Sequence, residues 1–209
     1  MYNQQNAVFA AYNFGMPGYG PQHMLSVLSK KNLEGIVKEK EGMAIYTILP
    51  DHVYRAIAAP YVVYGWGSKM PYYFEEHDSL TRIANFSKAF PFRTLAYKVF
   101  GSLGLSHTAL MKPAITKTDI ALTVSILKAS QKRYLQMYPN SKFYVLCYPF
   151  SGMEIDYQLL VNALHNEGIN TLDYRQMFPM DGSHTIAGDG HPNFLANQKI
   201  AARLLQDLH

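Results

Sequence analysis

Apolar and polar positions along this chain of 209 residues follow two different periods. Unbroken apolar runs at 7–14, 43–49, 143–148 and 169–174 are short and rich in Ile, Val, Tyr and Phe, which predicts strands buried on both faces. Between and after them the apolar residues fall three or four apart. Met24, Leu25, Leu28 and Leu33 form one such stripe, and Ile120, Val124, Leu127, Tyr134 and Leu135 form another over 118–138, stopped by Pro139-Asn140. Leu159, Leu160, Ala163 and Leu164 line one face of 156–165, with Gly168 placed as a C-terminal cap. The last element, 194–208, carries Ala196, Ile200, Ala201, Leu204, Leu205 and Leu208 on one side. These spacings predict helices.

Strands and helices that alternate with short connections imply a mainly parallel sheet covered by helices on both faces, a three-layer α/β sandwich. Ligands of such sheets sit at the carboxyl ends of strands. That rule selects 15–20, 50–55, 149–152 and the long connection 176–193. The alternation breaks over 56–113, where Tyr61, Tyr64, Trp66, Tyr72, Tyr73 and Phe74 are punctuated by Pro and Gly; this predicts an ordered, aromatic-rich insertion into a single domain covering 1–209. A composition of 48% apolar and 16% charged residues is that of a folding chain, not a disordered one.

Charge removes one class of function. The formal net charge of +4 arises from 19 Lys and Arg against 15 Asp and Glu, without the basic stripe that nucleic acid requires. No apolar stretch reaches the ~18 residues of a membrane span, and the opening Met1-Tyr2-Asn3-Gln4-Gln5 lacks the character of a signal peptide. Cys147 is the one cysteine; inside an apolar strand it is expected to be an inert, buried thiol.

Candidate chemistry concentrates at two places. Gly188-Asp189-Gly190-His191-Pro192-Asn193 immediately precedes the last helix. An Asp two residues before a His, in extended backbone, presents both side chains to one side, so the carboxylate can accept from imidazole Nδ1–H and hold its tautomer. Pro192 suits the first turn of the helix that follows. The competing reading is a loop-to-helix transition in which Asp189 caps and His191 is surface decoration. The second place is Asn13-Phe14-Gly15-Met16-Pro17-Gly18-Tyr19-Gly20, a glycine-rich turn whose backbone N–H groups can approach an oxyanion. Its glycine order, G-x-x-G-x-G, is not the dinucleotide fingerprint, and a tight turn without a ligand is the alternative.

Taken together and in order, N-x-G-x-P-G-Y-G before a helix and D-G-H-P-N-x-x-A-N-x-x-I-A at the last helix resemble the SGNH (GDSL-type) hydrolase superfamily. The resemblance implies a flavodoxin-like sandwich and an ester hydrolase or O-acyltransferase of the Ser-His-Asp type acting on a small-molecule or glycan acyl ester, with no cofactor and no metal. It maps the oxyanion-hole glycine to Gly18 and the catalytic pair to Asp189 and His191. The Asp-x-His spacing is that of the alginate O-acetyltransferase branch, where most relatives have Asp-x-x-His. In the family an Asn after the next strand completes the oxyanion hole; here that position holds Asp51, whose carboxylate opposes an oxyanion unless it is protonated or paired with Arg55.

The family's serine lies on a first strand ahead of the glycine block, and this sequence has no serine before Gly15. The chain is therefore expected to begin one strand late, with activity impaired. His77-Asp78-Ser79-Leu80-Thr81 mimics the serine block, but Ser79 follows Glu75-Glu76 in place of an apolar strand. Asp181-Gly182-Ser183-His184 has the commoner Asp-x-x-His spacing without a following helix, so His184 is expected as a loop residue near the site. Two other classes compete: a non-catalytic carbohydrate- or acyl-binding module using Tyr64, Trp66, Tyr72 and Tyr73, and a metal cluster of Asp181, His184, Asp189 and His191.

Overall fold

The computed structural model describes residues 10–30, 33–76, 79–105, 108–150 and 156–208. Three of the four apolar runs form the main sheet: β1 (Met43–Ile48), β4 (Lys142–Cys147) and β5 (Thr171–Asp173). They pair in parallel in the order β1-β4-β5, with Met43 opposite Lys142, Ile48 opposite Cys147 and Cys147 opposite Asp173. β4 is the central strand, and Phe143, Val145, Leu146 and Cys147 on it are all buried. A strand enclosed on both faces needs this continuous apolar run, and the sequence supplies it.

Helices cover both faces. On one, α7 (Lys117–Met137) and α8 (Tyr157–Asn166) contribute Ile120, Val124, Leu127, Leu160 and Leu164 to a core shared with Ile48, Phe143 and Val145. On the other, Ala196 and Ile200 of α9 (Phe194–Leu208) pack with Leu146, Tyr148, Tyr174 and Phe178. Both α7 and α8 start with a local signal. Thr116 Oγ1 accepts from the Asp119 N–H at 3.2 Å while Asp119 accepts from the Thr116 N–H at 2.8 Å, a capping box for α7. Asp156 accepts from the Leu159 N–H at 3.0 Å at the start of α8.

Within the described residues, the aromatic-rich segment 56–113 folds into short helices and one hairpin. It contains α3 (Asp51–Ala56) at its entry, α4 (Pro60–Gly65), an antiparallel hairpin of β2 (Pro71–Glu76) and β3 (Ser79–Asn85), α5 (Phe86–Ala89) and α6 (Pro91–Ser102). Part of its aromatic complement packs internally: Phe86, with Ala58 and Val63, anchors a cluster completed by Tyr72, Phe90 and Tyr97.

Where it is described, the expected strand at 7–14 is not formed. Residues 10–14 carry no strand and are exposed, and the remainder of the run at 7–14 lies outside the described residues. An apolar run becomes a strand only when a neighbouring strand accepts its backbone hydrogen bonds, and among the described residues β1 has one partner, β4. The chain settles into helix only at α1 (Pro21–Leu28) and the short α2 (Leu33–Ile36). Among the described residues no helix is long and apolar enough to cross a membrane.

Candidate functional site

The two candidate stretches form two separate clusters, both following carboxyl ends of the parallel strands. The first lies after β1. Asp51 opens α3, and Arg55, one turn on, donates through Nε to Asp51 Oδ2 at 2.7 Å, with a second guanidinium nitrogen at 2.6 Å. The Tyr61 hydroxyl donates to the other carboxylate oxygen at 2.6 Å. The Asp51 charge is thus paired, as the oxyanion argument requires, and Arg55 also donates to the Tyr19 carbonyl at 2.7 Å. One guanidinium ties the glycine turn to the end of the first parallel strand.

Gly18 sits in that turn with φ of +79°, a backbone region that side chains disfavour. A Cβ there would lie 2.8 Å from Trp66 Nε1, so the glycine is required twice over. Beside it is an open cleft of about 310 Å³ lined by Pro17, Gly18, Tyr19, His23, Trp66, Lys69 and Met70. His23 caps α1 by accepting the Gly20 N–H at its Nδ1, 3.1 Å away, and stacks on Tyr19 with ring centres 4.1 Å apart. Burial lowers its pKa to about 4, so the ring is neutral and, with Nδ1 accepting, carries its proton on Nε2.

The second cluster fills the connection from β5 to α9. His191 Nδ1 and Asp189 Oδ1 are hydrogen bonded, so the expected pair forms. Its geometry differs from expectation: the segment is a turn and not extended backbone. Gly188 and Gly190 flank Asp189 with φ of +77° and +76°, and the turn closes through an antiparallel bridge between Thr185 and Pro192 and a bond from the Ile186 N–H to the His191 carbonyl at 2.8 Å. Left-handed backbone on both sides of Asp189 folds its carboxylate back onto the imidazole. The pair is open to solvent, with the His191 side chain 77% exposed.

Asn193 holds this turn to the helix. Its Oδ1 accepts from the Ala196 N–H at 3.0 Å, capping α9, while its amide donates to the Ser183 carbonyl at 2.9 Å. His184 is buried inside the same connection, stacked on Phe178. Lys199 Nζ lies 2.8 Å from His184 Nε2; an ammonium only donates, so the ring proton is on Nδ1, directed toward Ser183 Oγ at 2.8 Å, which in turn donates to Asp181 at 2.5 Å. The sequence placed His184 in a loop near the site; its partner Lys199, six residues past Asn193, carries no signal in spacing or motif. Tyr61 was equally invisible, because its bond to Asp51 depends on how α4 docks.

No described hydrogen bond, ion pair or ring contact joins the Gly18–Asp51–Arg55 cluster to Asp189–His191. Ser79 lies in neither: it is exposed at the start of β3, opposite Glu76, without the strand-to-helix turn that presents a nucleophile. No described serine hydroxyl is within hydrogen-bond distance of His191. Asp181, His184, Asp189 and His191 do not form a metal-binding group among the described residues. Of the four aromatic residues singled out for ligand stacking, Trp66 lines the cleft and is half exposed, Tyr64 packs closely over Gly101, Tyr73 is in the core, and Tyr72 packs against Phe86 and Phe90. Cys147 is buried, with its thiol pushed up to about 12 by desolvation, and has no part in either cluster.

Comparison with protein-family models, with curated proteins and with solved structures finds no match to this chain.

Proposed function

We propose that this chain carries the acid–base half and the oxyanion side of an SGNH-like acyl-ester hydrolase or O-acyltransferase. The observation that supports this best is the Asp189–His191 hydrogen bond, formed in a glycine-flanked turn that Asn193 fastens to the capped terminal helix. In this reading His191 takes the proton from a serine hydroxyl as its oxygen attacks the acyl carbonyl, then gives it to the departing alcohol; Asp189 holds the imidazole tautomer and offsets its charge. The Gly18 N–H faces the developing oxyanion, and Arg55 neutralises Asp51 so that a carboxylate is tolerated there. The serine belongs to a strand ahead of the glycine turn.

The test is hydrolysis of p-nitrophenyl acetate by the chain and by His191→Ala. General-base participation predicts a fall of at least ~10-fold in the variant; equal rates remove the case for an ester hydrolase that depends on His191.

A second reading, a non-catalytic module that binds a carbohydrate or acyl chain, is favoured by the cleft between Tyr19 and Trp66. Glycan binding that survives His191→Ala and is lost in Trp66→Ala supports that reading over the first.

A further inference from the structure

Helix α6 lies on the insertion with its apolar side turned outward. Thr94 and Gly101 face the protein, where Gly101 lets the helix come so close to α4 that a Cβ would sit 2.4 Å from the Tyr64 ring. The opposite pole carries Phe92, Leu95 and Val99, continued by Leu103 at the C-terminal cap, and these are 87%, 61%, 48% and 68% exposed. At 100° per residue these four fall within an arc of about 80°. Arg93 and Lys98, both exposed, flank that arc on either side. Scattered exposed leucines need no explanation, but a continuous outward stripe on a packed helix does.

The charge around this stripe is one-sided. From Ser79 to Thr118 the sequence holds Arg82, Lys88, Arg93, Lys98, Lys112 and Lys117 and no Asp or Glu. All six cations are exposed, and among the described residues none is in an ion pair. Neither α4 nor α5, the helices packed against α6, contains an acidic residue. The rest of the chain is net acidic, since the whole carries only +4. An apolar ridge bordered by cations has the character of a helix lying in the plane of an anionic lipid surface, with its apolar side chains among the acyl chains and its cations at the headgroups. A second copy fits poorly, because apposing two such faces would bring Arg93 and Lys98 of both copies together with no acidic residue of α6 to offset them.

We propose that the α6 face docks on anionic membrane surfaces, with Phe92, Leu95, Val99 and Leu103 inserted and Arg93 and Lys98 at the headgroup level. This is independent of the ester-hydrolase reading. The test is flotation of the full chain with vesicles of phosphatidylcholine alone or with roughly one third phosphatidylserine. Binding is expected on the anionic vesicles, weak on the neutral ones and strongly reduced in about 0.5 M salt. The double variant Phe92→Ser, Leu103→Ser should lower partitioning at least ~10-fold, and Arg93→Gln or Lys98→Gln about fivefold each. Both pairs point outward, so an unchanged thermal midpoint verifies that the variants are folded. Failure to float with either vesicle overturns the proposal, as does equal flotation of wild type and the Phe92, Leu103 variant. A dimer in sedimentation that the same double variant abolishes also overturns it and assigns the face to a second copy.

Discussion

His52 illustrates how the meaning of a residue depends on its depth. It follows Asp51 on α3, is buried, and shares a 2.9 Å hydrogen bond between its Nδ1 and the Tyr46 hydroxyl. Burial first, and then the nearby Arg55 charge, lower its pKa from 6.5 to about 3, against the pull of Asp51. Below pH 6.5 the unfolded chain takes up a proton that the folded chain refuses until about pH 3. The stability tied to a neutral His52 is therefore complete above pH 6.5 and lost as pH falls, by about 1.4 kcal/mol per pH unit. Between pH 6.5 and 4 the carboxylates with lowered pKa, such as Asp173 and Asp207, add little, because their unfolded value is 3.8. Urea denaturation across that window should show the slope in wild type and a shallower one in His52→Asn, which keeps an acceptor near Nδ1 but does not titrate. The sequence marked Asp51 and Arg55 but not His52 or Tyr61, since nothing in their spacing reports burial or the docking of α4.

At the scale of the element, α9 and the connection before it behave as one unit. Asn193 caps the helix and also holds the Ser183 carbonyl, and Lys199 reaches back from the helix to His184. Asn193→Ala removes the cap and the loop bond together. It should cost about 1–2 kcal/mol, and amide exchange should accelerate across 183–191 while the amides of β4 stay protected. Exchange that rises equally in both places would show that the connection has no cooperative identity of its own. The bounds of α9, 194–208, were legible from periodicity and Pro192, and α7 and β4 from their apolar spacing, each displaced by one residue from the expected bounds. The Asp189–His191 pairing was also legible, but the route to it was not: two left-handed glycines, and not extended backbone, bring the side chains together. The strand expected at 7–14 does not form over its described part, residues 10–14, because an apolar run carries no information about whether another strand is there to receive it.

Across the whole molecule, stability and surface function separate cleanly. Leu160 is fully buried between α8 and the sheet, so Leu160→Ala should cost about 2–5 kcal/mol in chemical denaturation. Phe92→Ala, on the outward pole of α6, should change stability by no more than about 0.5 kcal/mol although it deletes a larger side chain. A similar loss at both positions would mean that α6 is covered within the folded chain.

Local pattern was enough for the alternation of strands and helices, the parallel sheet with its apolar central strand and the pairing of Asp189 with His191. All of these rest on local periodicity, on turn chemistry or on residues two positions apart. It took the folded arrangement to show that Arg55 bridges Asp51 to the glycine turn, that His184 finds Lys199, that Tyr72 and Tyr73 pack internally while Trp66 lines a cleft, and that α6 turns apolar side chains outward. These contacts join residues distant in sequence, and each depends on how one element docks on another. A one-dimensional pattern of apolar residues shows that a face exists, but not whether protein or solvent covers it.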